Sequence, residues 1–387
     1  MKKAIQVSTD ATIKSFKINI PENEIQDLKN RLRNSRWPSK IRGDDWQYGV
    51  PVDYLKKLAD YWLLKFDWKT QENKINQYPQ FVTEIDGVSI HFLHIKSPEP
   101  DALALVMTHG WPGSFVEFIN VIEPLTNPVA YGGNRKDAFH LIIPSIPGFG
   151  FSAPPPDAGW NLKRIGQAWA ELMDRLGYEK YAVQGGDAGI GISVELSHEA
   201  KGKVVGIHMN GPVLFPYGGA ENLTLSESDQ KRYDRLKQWQ TDGMGYLQIQ
   251  STRPHTLGYA LIDSPTGQLA WIVEKFKEWT DPSAPLPEDA VDLDLLLTNV
   301  SIYWFTGTAP SSSRLLYETM HTGGWPAPPT VPTGVAVFAG DNTVKAFSGA
   351  TNDGGHWSEY DKGGHFASME VPELFVKDVR KFFQSFR

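Results

Sequence analysis

Five short, almost uninterrupted apolar runs are spread along a chain of 387 residues, and helix-like segments separate them. Strands that are buried on both faces have this composition, as in a parallel sheet covered by helices. The segments between them, such as 163–176 (KRIGQAWAELMDRL), have the apolar spacing of amphipathic helices. The alternation of the two patterns predicts an α/β fold with a mostly parallel sheet. The apolar runs cover residues 104–109, 140–146, 181–185, 204–210 and 335–341.

The first 95 residues have a different pattern. Residues 22–37 and 52–66 each place leucines on one face of a helix. Residues 81–95 alternate in polarity and are divided by Asp86-Gly87, which predicts a β-hairpin.

A second departure from the alternation lies between residues 213 and 325. This interval is helical or irregular in pattern, rich in Trp and Tyr, and lacks an apolar strand run. Its length predicts an insertion that stands over an edge of the sheet. The core is therefore divided into 96–212 and 326–387, and an amphipathic helix at 371–386 ends the second part.

Composition excludes several classes of function. The chain has no cysteine, which excludes disulfides, cysteine-ligated zinc and a thiol nucleophile. The net charge of −7 comes without a basic block, so nucleic acid is not an expected partner. No run approaches the roughly 18 apolar residues of a membrane span, and no signal peptide follows the N-terminal lysines. We therefore expect a cytoplasmic protein. No metal or phosphate motif is found, so we also expect the protein to use neither metal nor cofactor.

The segment QGGDAG (184–189) places an aspartate in a turn between an apolar strand and an apolar helix. Gly185, Asp187 and Gly189 match the pattern G-x-nucleophile-x-G in its strand–turn–helix context. Glycines are needed there because the backbone is strained and neighbouring segments approach closely. No G-x-S-x-G is present, so no serine competes with Asp187. The alternative is that Asp187 caps the following helix.

The turn THGWPGS (108–114), which we name the oxyanion turn, follows the apolar run at 104–109. In this position a turn supplies one backbone N–H to an oxyanion hole, and the residue after the nucleophile supplies the second. The predicted donors are Trp111 and Ala188. The alternative is an ordinary Pro-Gly turn that ends a strand.

A histidine base is predicted near the C-terminus. His365 lies in KGGHFASMEVPEL, where the order nucleophile, acid, histidine places the base. Asp341 ends the preceding apolar run, and a carboxylate there can orient the imidazole and stabilise its charged form. Asp341 could instead be a turn residue, and Glu359 and Asp361 are alternative orienting acids.

With these residues in view, the sequence resembles the microsomal-type epoxide hydrolases of the α/β-hydrolase superfamily, over nearly its whole length. The resemblance implies an α/β-hydrolase fold with a mostly parallel eight-stranded sheet, a helical cap at 213–325, and an N-terminal segment, 1–95, that wraps core and cap. The anchoring helix of membrane-bound relatives is not expected. The resemblance is carried by SRWP, WQYGV, HGWPGS, IPSIPGFGFS, QGGDAG, GYLQIQSTRPHTLGYALIDSPTGQLAWIVEKF, LLTNVSIYWFTGT and GGHFASMEVPELF.

The family resemblance also implies a mechanism. Asp187 would attack an epoxide carbon to form an alkyl-enzyme ester, while a cap tyrosine protonates the epoxide oxygen. Tyr246, in GMGYLQIQST, matches the first of two such tyrosines. Water activated by His365, with Asp341 behind it, would then hydrolyse the ester to release a vicinal diol. The residues predicted to contact the epoxide are Trp111, Pro112 and Phe149.

Two positions depart from the family pattern. The second tyrosine is expected two residues after the arginine of SSSRLLYET, but Leu316 stands there and Tyr317 follows. One residue is about 100° of helix rotation, so either Tyr317 serves through a local shift or Tyr246 acts alone, with Tyr303 as a further candidate. Ala188 replaces the tryptophan that close relatives carry after the nucleophile.

Two other functions remain open at this stage. A haloalkane dehalogenase also uses an aspartate nucleophile, but it clamps the halide with a tryptophan N–H at the position where this chain has Ala188. An inactive hydrolase-fold protein that binds a ligand is the second alternative, suggested by the shifted tyrosine. The sequence leaves a homodimer open.

Overall fold

One sheet of nine strands lies at the centre of the computed structural model, which describes residues 11–43, 45–212, 223–348 and 355–387. Across the sheet the order is β1-β2-β3-β5-β4-β6-β7-β8-β9. The pairings from β1 to β5 are antiparallel and those from β5 to β9 are parallel. The strands are β1 (Lys14–Phe16), β2 (Gln80–Ile85), β3 (Val88–Ile95), β4 (Leu103–Thr108), β5 (Phe139–Pro144), β6 (Tyr181–Gly186), β7 (Val204–Asn210), β8 (Thr333–Val337) and β9 (His356–Glu359).

The predicted fold class, a mostly parallel sheet between helices, is confirmed. The five apolar runs form β4 to β8, and their side chains are almost all buried. The sheet has one strand more than the eight predicted, because Lys14–Phe16 pairs with β2 at the antiparallel edge. The strand formed by the last apolar run ends at Val337, earlier than predicted. The chain then turns, and Asp341 accepts a hydrogen bond from the N–H of Phe338.

Helices cover the sheet in two packed pairs. α5 and α6 contact each other and α6 also packs on β4, β6 and β7, whereas α4 and α15 contact each other and lie against β5, β7 and β8. The helices are α1 (Glu22–Arg33), α2 (Val52–Leu64), α3 (Trp68–Ile75), α4 (Ile119–Thr126), α5 (Leu162–Arg175), α6 (Ala188–Glu199), α7 (Glu227–Gln238), α8 (Gly245–Thr252), α9 (Pro254–Asp263), α10 (Pro265–Trp279), α11 (Pro287–Ala290), α12 (Leu293–Thr306), α13 (Ala309–Thr322), α14 (Ala367–Glu370) and α15 (Pro372–Phe383).

The N-terminal segment contains the predicted helices and hairpin. The hairpin joins β2 to β3 through Asp86 and Gly87, both with positive φ, as a two-residue hairpin turn requires. Helices α1 and α2 pack on α10. The buried indole N–H of Trp62 donates to Ser301 Oγ at 2.9 Å, which joins α2 to α12. This segment therefore adheres to the helices that follow β7.

The interval between β7 and β8 contains helices α7 to α13 and, in its described part from 223 onward, no strand. α8, α9 and α13 pack together, which brings Tyr246 of α8 towards the end of the parallel strands. Residues 213–222 of the predicted insertion lie outside the described residues, and the division of the chain at 95, 212 and 325 stays a prediction. Among the helices described, none is both long and apolar enough to cross a bilayer.

Candidate active site

Asp187 occupies a sharp turn between β6 and α6. Its φ of 52° and ψ of −128° lie outside the regions that a non-glycine residue prefers. The turn is crowded on both sides: a Cβ on Gly185 would lie 2.3 Å from the carbonyl oxygen of Gly189, and one on Gly189 would lie 2.0 Å from that of Thr108. Only glycine fits at these two positions, which explains the pattern G-x-D-x-G.

The Asp187 carboxylate does not cap the helix that follows it. No hydrogen bond joins the side chain to the first turn of α6, so the capping interpretation is not supported. Its Oδ1 instead accepts a hydrogen bond from the backbone N–H of Trp111 at 3.0 Å. The side chain is 30% exposed, and Oδ2 lies 3.9 Å from Nε2 of His365. One oxygen is thus held by the oxyanion turn while the other faces the histidine.

His365 is presented by the loop between β9 and α14. Its backbone N–H donates to the carbonyl oxygen of Trp279 at 2.8 Å, and its ring lies 4.9 Å from the ring of Trp279. Burial lowers the pKa of the imidazole, and the negative charge of Asp187 acts against that lowering. A neutral imidazole near pH 7 can take a proton from water.

Asp341 precedes His365 in the sequence, but no hydrogen bond joins the two side chains in the described structure. Its Oδ2 accepts from the N–H of Phe338 at 2.7 Å, and no hydrogen bond or ion pair links it to the imidazole within the described residues. Burial raises the pKa of Asp341 to about 7, against the lowering effects of the Phe338 N–H and of Arg232 and Arg235. Within the described residues, the structure therefore shows no acid–histidine pair between Asp341 and His365.

The alternative acids do not pair with the histidine either. Glu359 binds Arg232, with Oε2 and Nη1 2.9 Å apart, and it accepts from the indole of Trp357. Asp361 is exposed to solvent.

Tyr246 is the candidate tyrosine whose ring contacts the oxyanion turn. Its ring is stacked on that of Trp111, with centroids 5.1 Å apart and an interplanar angle of 10°, and meets Trp279 edge-on at 5.2 Å. Burial raises the pKa of the phenol, and the charges of Asp187 and Glu278 raise it further. A continuous series of ring contacts, which we name the aromatic wall, is formed by Trp111, Tyr246 and Trp279. It reaches the ring of His365 through Trp279.

The other two candidate tyrosines are engaged elsewhere. The ring of Tyr317 stacks on His321, one turn further along α13, with centroids 4.0 Å apart. No hydrogen bond or ring contact in the described structure joins Tyr317 to Asp187 or Tyr246. Tyr303 is fully buried, and its hydroxyl donates to the carbonyl oxygen of Gly113 at 2.7 Å.

The residues predicted to contact substrate have different positions. Trp111 contributes its backbone to Asp187 and its ring to the aromatic wall. Pro112 accepts a hydrogen bond at its carbonyl from Asn299 Nδ2 at 2.8 Å, which together with Tyr303 anchors the oxyanion turn to α12. Phe149 is fully buried, and its ring lies 5.5 Å from the ring of His109, so its contact with substrate stays a prediction. Ala188 begins α6 beside the nucleophile.

Two ionisable residues near the nucleophile were missed by the sequence analysis. Glu117 follows the oxyanion turn without a hydrogen-bond partner for its carboxyl group in the described structure. Burial and, after it, the charge of Asp187 raise its pKa well above the ordinary range. Lys275 of α10 is buried against the ring of Tyr246. Neither has a sequence signal, because each is brought inward by the packing of distant segments.

A cavity and the arrangement of possible metal ligands are the other features that bear on function. A cavity of about 380 Å³ is lined by Asp281, Lys362 and Glu370 among others, and contains none of the predicted catalytic side chains. Within the described residues, no group of three or more His, Asp or Glu side chains is arranged to hold a metal ion.

A carboxylate on a strand–helix elbow, an N–H donor beside it and a histidine that faces it are features of the α/β-hydrolase fold. Residues 104–268 match the family model described as the alpha/beta hydrolase fold. Residues 13–118 match the model described as the epoxide hydrolase N terminus.

Similar proteins narrow the family further. A "Putative epoxide hydrolase" of Stigmatella aurantiaca is 44% identical over 97% of this chain and 86% of its own. "Epoxide hydrolase 1" of Sus scrofa is 35% identical over 96% of this chain and 89% of its own. The solved structure of an Aspergillus niger epoxide hydrolase has a TM-score of 0.86 at 30% identity and covers 97% of each chain. The chain belongs to the microsomal-type epoxide hydrolases, an enzyme family of the α/β-hydrolase fold.

Proposed function

We propose that this enzyme hydrolyses an epoxide to a vicinal diol through a covalent ester on Asp187. The observation that carries the proposal is the state of that carboxylate. It is 30% exposed on a strained elbow, one oxygen is bound by the N–H of Trp111, and the other faces His365.

In the first step, Oδ2 of Asp187 attacks an epoxide carbon. A C–O bond forms to the carboxylate as the C–O bond of the three-membered ring breaks. The attacking group is already ionised, so this step needs no base. The leaving oxygen takes the phenolic proton of Tyr246, and solvent returns a proton to the phenolate.

In the second step, His365 removes a proton from water as that water attacks Cγ of the ester. The carbonyl oxygen, Oδ1, becomes an oxyanion. The Trp111 N–H that already bonds Oδ1 stabilises this charge, together with the N–H of Ala188. Breakdown of the tetrahedral intermediate breaks the bond between Cγ and Oδ2, and the imidazolium of His365 gives its proton to that oxygen. The diol leaves with Oδ2 in it, and an oxygen from water stays in the carboxylate.

Asp341 is proposed as the acid that orients His365, although the two are not bonded in the free enzyme. Catalytic hydrogen bonds are often long before substrate binds. The aromatic wall of Trp111, Tyr246 and Trp279 suits an epoxide with an apolar or aryl substituent. Halide release is not favoured, because the Ala188 side chain has no N–H to bind a halide.

Heavy-oxygen labelling tests the covalent route. Enzyme in excess over a styrene-type epoxide completes one turnover in water enriched in oxygen-18, and both diol and protein are analysed by mass spectrometry. We expect the label in the peptide that contains Asp187 and an unlabelled diol. Label that enters the diol directly, with none in the peptide, would mean that water attacks the epoxide without an ester.

A His365→Gln variant is the matched test of the second step. It should still form the ester but release it slowly, so the modified enzyme accumulates. Free turnover by this variant would remove His365 from the role of base. The cytoplasmic location and the homodimer stay predictions from the sequence.

A further inference from the structure

A lysine side chain is buried beside the phenol that serves as the acid. Lys275 is 2% exposed, and its Nζ lies 4.8 Å from the ring centroid of Tyr246 and 5.7 Å from that of Trp279. A buried ammonium group is costly unless it has partners. Glu274 Oε1 and Glu278 Oε2 provide them, each 2.7 Å from Nζ.

The charges around Tyr246 oppose its action as an acid. When the phenol gives up its proton it becomes a phenolate, which the carboxylate of Glu278 repels, whereas Asp187 has become a neutral ester in the same step. Lys275 is the cation over the same ring, and it also pairs with Glu278. An ammonium group over an aromatic face is attracted to the ring, and the attraction grows when the ring carries negative charge.

Tyr246 is the candidate tyrosine that this inference concerns. The Tyr303 hydroxyl is hydrogen-bonded to the carbonyl of Gly113, and the ring of Tyr317 lies against His321. Proton donation by Tyr246 depends on the charges that face its ring.

We propose that Lys275 is a positioning residue for ring opening, which fixes the ring of Tyr246 and offsets the negative charge of Glu278 beside it. This inference rests on the proposed function and adds a requirement that is specific to the first step. Ester hydrolysis does not use the phenol, so Lys275 acts on one half-reaction only.

The test compares Lys275→Met with Lys277→Met, a control two residues along the same helix that makes no contact with Tyr246. Ester formation on Asp187 is followed by rapid quench and mass spectrometry, and ester hydrolysis is measured separately. We expect Lys275→Met to form the ester about 10-fold more slowly, the scale of a desolvated ammonium–aromatic contact, with little change in hydrolysis. The control should match the wild type in both steps.

A charge-rescue variant separates electrostatics from packing. Of the two carboxylates that Lys275→Met leaves without their partner, Lys275→Met/Glu278→Gln removes the one whose charge acts on Tyr246, so ester formation should recover part of the lost rate. Unchanged ester formation in Lys275→Met overturns the inference. Equal slowing of both steps, with no rescue, also overturns it, because a purely structural lysine gives that result.

A second measurement does not depend on ester chemistry. A fluorinated tyrosine placed at position 246 reports phenol ionisation by fluorine NMR, and its titration should shift to higher pH in Lys275→Met. An unshifted titration overturns the inference while the ester result still stands. If the wild type forms no ester, the proposed function fails, and the fluorine titration still decides the effect of Lys275.

Discussion

Replacement of Tyr246 by phenylalanine is the perturbation with the largest expected effect on ring opening. We expect no other phenol to replace it, because Tyr303 bonds the oxyanion turn and the ring of Tyr317 stacks on His321. Loss of a general acid slows a reaction by about 100-fold to 10,000-fold, or about 2.7 to 5.4 kcal/mol of barrier. The ring contacts of Tyr246 with Trp111 and Trp279 do not involve the hydroxyl. The free energy of unfolding should therefore change by less than about 1 kcal/mol.

The assay is rapid-quench formation of the Asp187 ester, with chemical denaturation measured on the same preparations. Tyr317→Phe is the matched control and should form the ester near the wild-type rate. If the two variants lose the same factor, both phenols donate, and the interpretation of the Tyr317 ring position is wrong. If Tyr246→Phe forms the ester at the wild-type rate, the acid is another group.

Three further predictions concern the surroundings of the site. Tyr303→Phe removes a 2.7 Å hydrogen bond to the oxyanion turn; it should cost about 1 to 3 kcal/mol of unfolding free energy and keep ester formation, whereas complete loss of the ester would make Tyr303 the acid. Burial would raise the pKa of Asp378, but its hydrogen bonds with His208 and His356 outweigh that and lower it. The ionised carboxylate thus contributes stability above about pH 4 that is lost as the pH falls further. Asp378→Asn should lower the free energy of unfolding by about 3 to 5 kcal/mol at pH 7, measured by urea titration. No change in that free energy would contradict the prediction. Burial lowers the pKa of His365. The rate of ester hydrolysis should therefore fall as the pH is lowered, with a midpoint below about pH 6.5. A midpoint above that value would mean that a carboxylate stabilises the imidazolium.

The central strands could be predicted from the sequence because burial on both faces leaves a continuous apolar run. The edge strands could not. β1 (KSF) and β9 (HWSE) are short, and neither is an apolar run, so only their pairing partners define them as strands. The turn at Asp187 was also predictable from local features, because Gly185 and Gly189 are required by contacts within a few residues and with one neighbouring strand.

Side chains whose environment depends on distant segments were harder to predict. Lys275 lies in an amphipathic helix, where a lysine is usually on the surface, and its burial depends on α8 packing over it. Asp341 was predicted to end a strand, but β8 ends at Val337 and Asp341 lies in the turn that follows, where it accepts a hydrogen bond from the N–H of Phe338. The offset of Tyr317 was visible in the sequence, although its stacking on His321 was not.

The most direct test of the account is the mass of His365→Gln enzyme after it is mixed with an epoxide and quenched. We expect the protein to gain the mass of one epoxide, and digestion should place the addition on the peptide with Asp187. An unmodified protein in a solution where diol has formed would contradict the account, because the epoxide would then have been opened without a bond to the carboxylate.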